Sequence, residues 1–174
     1  MTGPILLDGE SLSVEALRLV ADGGAAVALA PPARARMQAT REVVDRLVAS
    51  GAVVYGVTTG FGKLSDVAIP AHRLAELQVS LVRSHAAGVG PLLPEREVRA
   101  MMLLRANVLA KGYSGARAEL VDLLAGMLGA GLYPPVPEQG SVGASGDLAP
   151  LAHLALALIG EGELCQGPRR APAA

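Results

Sequence analysis

Apolar residues recur along the chain at strand-like and helix-like spacings, and Gly, Pro and Ser mark the breaks between them. Ile5-Leu6-Leu7 is a short apolar run closed by Asp8-Gly9, which predicts a strand and a turn. Ser13 is placed to cap a helix with Val14, Leu17, Val20 and Ala21 on its apolar face, ending at Gly23-Gly24. Residues 25–30 read as a brief extended piece. Pro31-Pro32 then opens a helix carrying Met37, Val43, Val44, Leu47 and Val48, stopped at Ser50-Gly51. Val53-Val54-Tyr55 looks extended and runs into a glycine-rich loop, Gly56-Val57-Thr58-Thr59-Gly60-Phe61-Gly62.

From Pro70 onward the pattern is helical almost throughout. Leu74, Leu77, Leu81 and Val82 form one stripe, ending at Ala86-Ala87-Gly88. A second helix starts at Pro94, with Glu95 and Glu97 where carboxylates meet the positive end of the helix dipole. Its centre, Met101-Met102-Leu103-Leu104, is apolar on every side and predicts full burial. Lys111-Gly112 ends it. Ser114 is the expected cap of a third helix, with Leu120, Val121, Leu124, Met127 and Leu128, ended by Gly129 and Gly131. A Pro/Gly loop over 133–146 leads to an apolar helix from Leu148 to Ile159, whose one polar residue is His153.

The predicted class is mainly α, in three parts. Residues 1–69 are a small α/β-like start with the Tyr-bearing loop. Residues 70–164 are a helical region containing the loop 140–147. Residues 165–174 carry turn and linker chemistry, close no predicted element and read as interrupted.

Composition narrows the function. Of 174 residues, 51% are apolar and only 18% charged, below the roughly 25% of ordinary domains, and mean hydropathy is +0.41. Disorder is excluded. So much apolar sequence in a short chain predicts helices buried against other chains or against further polypeptide. Lys plus Arg number 15 against 16 Asp plus Glu, which leaves no basic surplus for nucleic acid. No apolar run reaches a membrane span. The start, MTGPILLDGESL, lacks the pattern of a signal peptide. The single Cys165 precludes an intramolecular disulfide framework. The expected compartment is the cytoplasm, with no nucleic-acid or membrane partner.

The densest chemical signal is Gly140-Ser141-Val142-Gly143-Ala144-Ser145-Gly146-Asp147, just before the apolar helix. A P-loop would need Gly-Lys-Ser/Thr, and here Asp147 follows Gly146. A nucleophile elbow would need Gly-x-Ser-x-Gly, and Asp147 holds its final position. His72, His85 and His153 are scattered, so no metal site is expected. Taken alone, the segment reads as a flexible turn with Asp147 as helix cap. The tripeptide Ala144-Ser145-Gly146 offers an alternative. In a tight bend the Gly146 amide nitrogen can approach the Ala144 carbonyl carbon, an approach that a Cβ on residue 146 would block. Ring closure and dehydration would leave Ser145 as an exocyclic methylene on an imidazolinone, an electrophile made from backbone.

Four ordered segments carry a resemblance. They are Tyr55-Gly56-Val57-Thr58-Thr59-Gly60-Phe61-Gly62, Leu81-Val82-Arg83-Ser84-His85-Ala86-Ala87-Gly88-Val89-Gly90, Leu104-Arg105-Ala106-Asn107-Val108-Leu109-Ala110-Lys111-Gly112-Tyr113-Ser114-Gly115, and the segment from Gly140 through His153. Together they resemble the aromatic amino acid ammonia-lyases, over about residues 5 to 164. The triplet Ser84-His85-Ala86 most resembles the histidine-specific branch.

The resemblance implies the N-terminal part of the ammonia-lyase fold and a 4-methylidene-imidazole-5-one (MIO) group formed autocatalytically from Ala144, Ser145 and Gly146, with no metal and no external cofactor. It implies Tyr55 as the base for the substrate β-proton, and tyrosine's ordinary pKa near 10 would have to fall for that role near neutrality. It also implies His85 as partner of the substrate side chain, and Gly60, Asn107 and Asp147 as supporting residues, with Asn107 bonded to the MIO loop. The partners implied are L-histidine and three further copies of the chain in a homotetramer. Family members run to roughly three times this length, beyond single-domain size. The sequence is therefore read as an N-terminal portion, inactive by itself. A tyrosine aminomutase using the same electrophile, or another aromatic amino acid ammonia-lyase, is the alternative among enzymes, and a non-catalytic helical assembly module the alternative outside them.

Overall fold

The structure, a computed structural model, describes residues 3–143 and 146–174, and of Leu64 and Asp147 the backbone only. Strand β1 (Ile5–Leu7) pairs in parallel with β2 (Val27–Leu29), and helix α1 (Val14–Ala21) connects them. Helix α2 (Pro31–Ser50) is next in the chain, then α3 (Leu74–His85), β3 (Val89–Leu92), α4 (Glu95–Ala110) and α5 (Ala118–Gly129). Strand β4 (Pro137–Gln139) returns to pair antiparallel with β3. The short β5 (Val142–Gly143) and β6 (Gly146–Asp147) precede α6 (Leu148–Leu158), and β7 (Glu163–Gln166) with β8 (Arg169–Pro172) close the chain.

The local signals that fixed helix starts hold. Ser13 Oγ accepts from the Ala16 N–H at 3.1 Å, Pro31 opens α2, and Gly51 ends it at φ 68°. Asp8 closes β1 by accepting from the N–H groups of Glu10 and Ser11, each at 2.8 Å. Those two bonds favour the carboxylate and pull the Asp8 pKa down to about 2. No helix among the described residues is long and apolar enough to cross a membrane.

Four expectations are corrected. Ser114 does not cap α5, which starts at Ala118 behind Arg117. Gly115 sits at φ 66° against Val44 of α2, and a left-handed residue there cannot be helical. The chain is not helical throughout after Pro70, because β3 and β4 interrupt it. Their pairing is non-local, so no periodicity within either stretch announces it. Helix α4 is not buried on all sides: Met102 and Leu103 are fully buried, whereas Leu104 and Val108 are 46% and 50% exposed. Finally, residues 165–174 are no linker. Gly167 turns the chain at φ 55°, and Cys165 faces Arg170 and Gln166 faces Arg169 in a β7–β8 hairpin.

The core lies where α4 and α5 pack together against α1, the β1–β2 pair and one face of α6. Arg99 is 3% exposed within it. Its guanidinium donates to the Ala21 carbonyl at 3.1 Å, to Val20 at 2.9 Å and to Leu128 at 3.1 Å. It thus joins the C-terminal ends of α1 and α5, where unpaired carbonyls give a partial negative charge.

Arg99→Met should lower unfolding free energy by about 2–4 kcal/mol in a urea titration, because buried carbonyls lose their donors. Arg99→Lys should recover little, since one ammonium cannot span both helix ends. A second titration concerns Asp8. Its folded pKa lies below the ordinary unfolded value near 3.9, so its contribution is complete above that value and lost as pH falls from about 4 toward 2. Asp8→Ala should remove that limb of the stability–pH curve, which urea midpoints across the range will show.

Candidate functional site

Three segments carry the candidate residues, each held by its own device. The first is the Tyr55 loop. The chain does not continue as a strand there, because the Val54 carbonyl accepts from the N–H groups of Val57 (3.1 Å) and Thr58 (2.9 Å) and folds residues 55–58 into a turn. Two threonines pin it from beneath. Thr58, 7% exposed, accepts from the Val54 N–H at 2.8 Å and donates to the Ala52 carbonyl at 2.5 Å. Thr59, 1% exposed, accepts from the Gly56 N–H at 3.3 Å and donates to the Gly60 carbonyl at 2.9 Å. Gly60 is buried and donates to the Val67 carbonyl at 3.1 Å. Sequence reasoning singled out Tyr55 and Gly60 but passed over both threonines, although adjacent hydroxyls among glycines were a usable signal. Tyr55 itself is 63% exposed, its ring edge-on to Phe61 at 6.0 Å.

The second segment is the end of α3. His85 Nδ1 lies 2.8 Å from the Leu81 carbonyl oxygen. A carbonyl only accepts, so Nδ1 carries the proton and, in the neutral ring, Nε2 keeps the free lone pair. Ser84 Oγ donates to the same carbonyl at 2.9 Å. Beyond His85 the chain reverses through Ala86 (φ −77°, ψ 59°), with the Ala87 N–H donating to the His85 carbonyl at 2.8 Å. This is an inverse γ-turn.

The third segment runs into α6. The Ala149 N–H, one of the unpaired donors of the first helical turn, finds the Ser141 carbonyl at 3.0 Å. Gly140 lies so close to the helix that a Cβ on it would stand 2.7 Å from Ala149 Cβ. Gly143 pairs with Gly146 and Val142 with Asp147. Gly146 has φ 129°, where side chains are strained, and open space where a Cβ would project. Ala144, Ser145 and the Asp147 side chain lie outside the described residues.

Topology brings the second and third segments together. In the antiparallel β3–β4 pair Val89 faces Gln139, so the chain entering β3 lies beside the chain leaving β4. The approach is close. A Cβ on Gly140 would stand 3.6 Å from Gly88 Cα, and the Gly88 N–H donates to His153 Nε2 at 3.0 Å. Arg83 adds a two-point ion pair to Glu161, just beyond α6, at 2.9 and 2.5 Å. His153, the one polar residue of the predicted apolar helix, is half-buried, with its pKa lowered by desolvation.

Two residues stand apart from this edge. No hydrogen bond among the described residues joins the Tyr55 loop to it. Asn107 Oδ1 accepts from the Gly9 N–H at 3.2 Å, and among the described residues no hydrogen bond joins it to the chain between Gly140 and Gly146. Gly9 needs that anchor at φ 87°, pressed against the Lys111 backbone at the end of α4. A groove of about 350 Å³ between α1 and α4, lined by Val14, Leu17, Ala21, Pro94 and Ala100 among others, takes in none of these residues.

Residues 12–174 match the model of the aromatic amino acid lyase family. A histidine ammonia-lyase of Anaeromyxobacter sp. (strain K) is 58% identical over 94% of this chain and 32% of its own length. Among solved structures, tyrosine aminomutase from Streptomyces globisporus superposes with a TM-score of 0.91 at 43% identity. Histidine ammonia-lyase from Trypanosoma cruzi does so at 0.88 and 42%. Each of these two matches covers 98% of this chain and 32% of the other. The chain thus spans about a third of the length of the curated relatives it matches.

Gly140→Ala should destabilise the protein by about 1–3 kcal/mol through overpacking against Ala149. Adding Ala149→Gly should return part of that loss, although glycine in a helix itself costs about 1 kcal/mol. A urea double-mutant cycle measures the coupling, and strictly additive effects would contradict the contact.

Proposed function

The chain belongs to the aromatic amino acid lyase family, and on that premise we propose that it supplies the electrophile-bearing portion of a histidine ammonia-lyase, which eliminates ammonia from L-histidine to give trans-urocanate. The observation that carries this reading is the edge at which the His85 turn meets the start of α6. A side chain that can read an imidazole and the described residues that flank the Ala144-Ser145-Gly146 tripeptide, Gly140 and the first turns of α6, are brought there from distant parts of the sequence.

The residues fit an MIO group. Gly143 and Gly146 are paired antiparallel, and Gly146 holds a backbone conformation suited to glycine, with open space where a Cβ would project. Ala144, Ser145 and Gly146 would form the group, and when present it supplies an electrophile for the substrate amine. The N-terminus of α6 comes directly after, and its partial positive charge favours electron density accumulating beside it. Tyr55 Oη is assigned to receive the β-proton, on a turn that Thr58 and Thr59 hold at the surface. His85, with Nδ1 committed to Leu81, offers Nε2 as acceptor for an N–H of the substrate ring. The working form on this reading is a cytoplasmic homotetramer.

A tyrosine phenol also donates a proton to such an acceptor, so His85 by itself does not separate histidine from tyrosine. The aminomutase reading has the 0.91 superposition in its favour. The 58% identity to a histidine ammonia-lyase, against 43% to the aminomutase, favours histidine.

The test is an enzyme of the relatives' full length carrying this sequence, supplied with histidine and tyrosine separately. Histidine should yield urocanate and ammonia, and intact mass should fall two waters below the sequence value. Ser145→Ala should abolish both signatures with helical content unchanged. His85→Leu should depress histidine turnover far more than phenylalanine turnover, because a site built for a polar ring is left unpaired. The 174-residue chain by itself should give no urocanate. A β-amino acid from tyrosine, or active enzyme of unmodified mass, would overturn the reading.

A further inference from the structure

The contact between Gly88 and His153 is more than a filled hydrogen bond. The two residues are 65 positions apart, on the loop just after His85 and on the second turn of α6. Gly88 has little freedom to sit elsewhere. A Cβ on it would stand 3.0 Å from His153 Nε2 and 3.1 Å from Pro137 Cβ, so helix, strand β4 and loop already meet at contact distance. The other side of the same knot is Gly140, pressed on Ala149 at the first turn of α6. Among the described residues, the acceptor that the Gly88 N–H finds is the imidazole nitrogen. Because that N–H donates, His153 Nε2 is unprotonated and the ring proton resides on Nδ1. Burial lowers the ring's pKa, which keeps that lone pair available at neutral pH.

We infer that His153 is a positioning residue: by accepting from Gly88 it fixes the distance between the His85 turn and the start of α6, and so the placement of a substrate side chain relative to Gly146. The inference rests on the histidine-elimination reading for its kinetic consequence, but its structural half does not. A substrate held by its ring at His85 and by its amine near residue 146 must have these two anchors at fixed separation. A shift of about 1 Å in such a separation can cost about a hundredfold in rate.

The experiment uses the full-length enzyme with three substitutions. His153→Leu removes the acceptor at similar volume, His153→Gln retains one at the reach of Nε2, and Gly88→Ala pushes the clamp apart from its other side. Amide hydrogen exchange is followed at Gly88 and across α3 and α6, and kcat and KM are measured with histidine. In His153→Leu, Gly88 exchange should rise about tenfold or more while α3 and the remainder of α6 keep their protection. In the same variant kcat/KM should fall at least about tenfold. His153→Gln should restore most of both. Gly88→Ala should reproduce the kinetic loss without changing residue 153, which decides the matter even where His153→Leu does not fold. Unchanged Gly88 exchange in His153→Leu, equal behaviour of the Leu and Gln variants, or wild-type kinetics in Gly88→Ala would each overturn the inference. An enzyme that releases no ammonia before any substitution defeats the functional reading alone, and the Gly88 exchange measurement still decides the clamp.

Discussion

One guanidinium holds the architecture in register. Arg99 projects from α4 into the core and gathers the last carbonyls of α1 and α5. A charge so deeply buried is costly unless fully hydrogen-bonded, and the two helix ends supply both acceptors and a complementary field. Everything around it is placed as a result. With α1 fixed, the β1–β2 pair lies over the core. With α5 fixed, the chain leaving it returns as β4 beside β3, and that return carries Gly140 to the turn after His85.

Much of this was legible in the sequence where the cause was local. Ser13 caps α1 because its hydroxyl reaches three residues on. Pro31 begins α2 and Pro94 stands immediately before α4, because a missing N–H costs nothing at a helix start. Asp8-Gly9 turns because a short carboxylate accepts from the backbone just ahead. The failures share a different cause. Strands β3 and β4 are built by each other, and neither Val89 nor Pro137 declares a partner. Ser114 looks like a cap until Gly115 is seen pressed on α2. Residues 165–174 look like a linker because Arg169 and Arg170 read as solvated turn residues, and only the hairpin register shows them in a strand.

The candidate site divides along the same line. Motifs pointed to Tyr55, His85, Gly60 and the Ala144-Ser145-Gly146 tripeptide, since residue type and order suffice for that. They could not show that Asn107 serves Gly9, because Asn107 has apolar neighbours in sequence on either side and its bonding partner lies nearly a hundred residues away. Nor could they show that His153 reaches across to Gly88. In both cases the missing information was a long-range partner for a polar group, which hydrophobic periodicity does not encode, whereas Thr58 and Thr59 bond within six residues of themselves and were open to a reading of local turn chemistry.

The β3–β4 pairing also imposes an order of events. Helices α4 and α5 lie between the two strands, and local helical contacts form before pairings that close a long loop, because the loop's entropy must be met first. The His85 turn and Gly140 therefore come together only after the α4–α5 hairpin has docked around Arg99. On the proposed reading, backbone cyclisation at residues 144–146 is then a late event, gated by folding itself. A nascent chain would carry an inert serine, and its reactivity would switch on only once the scaffold that directs it is complete.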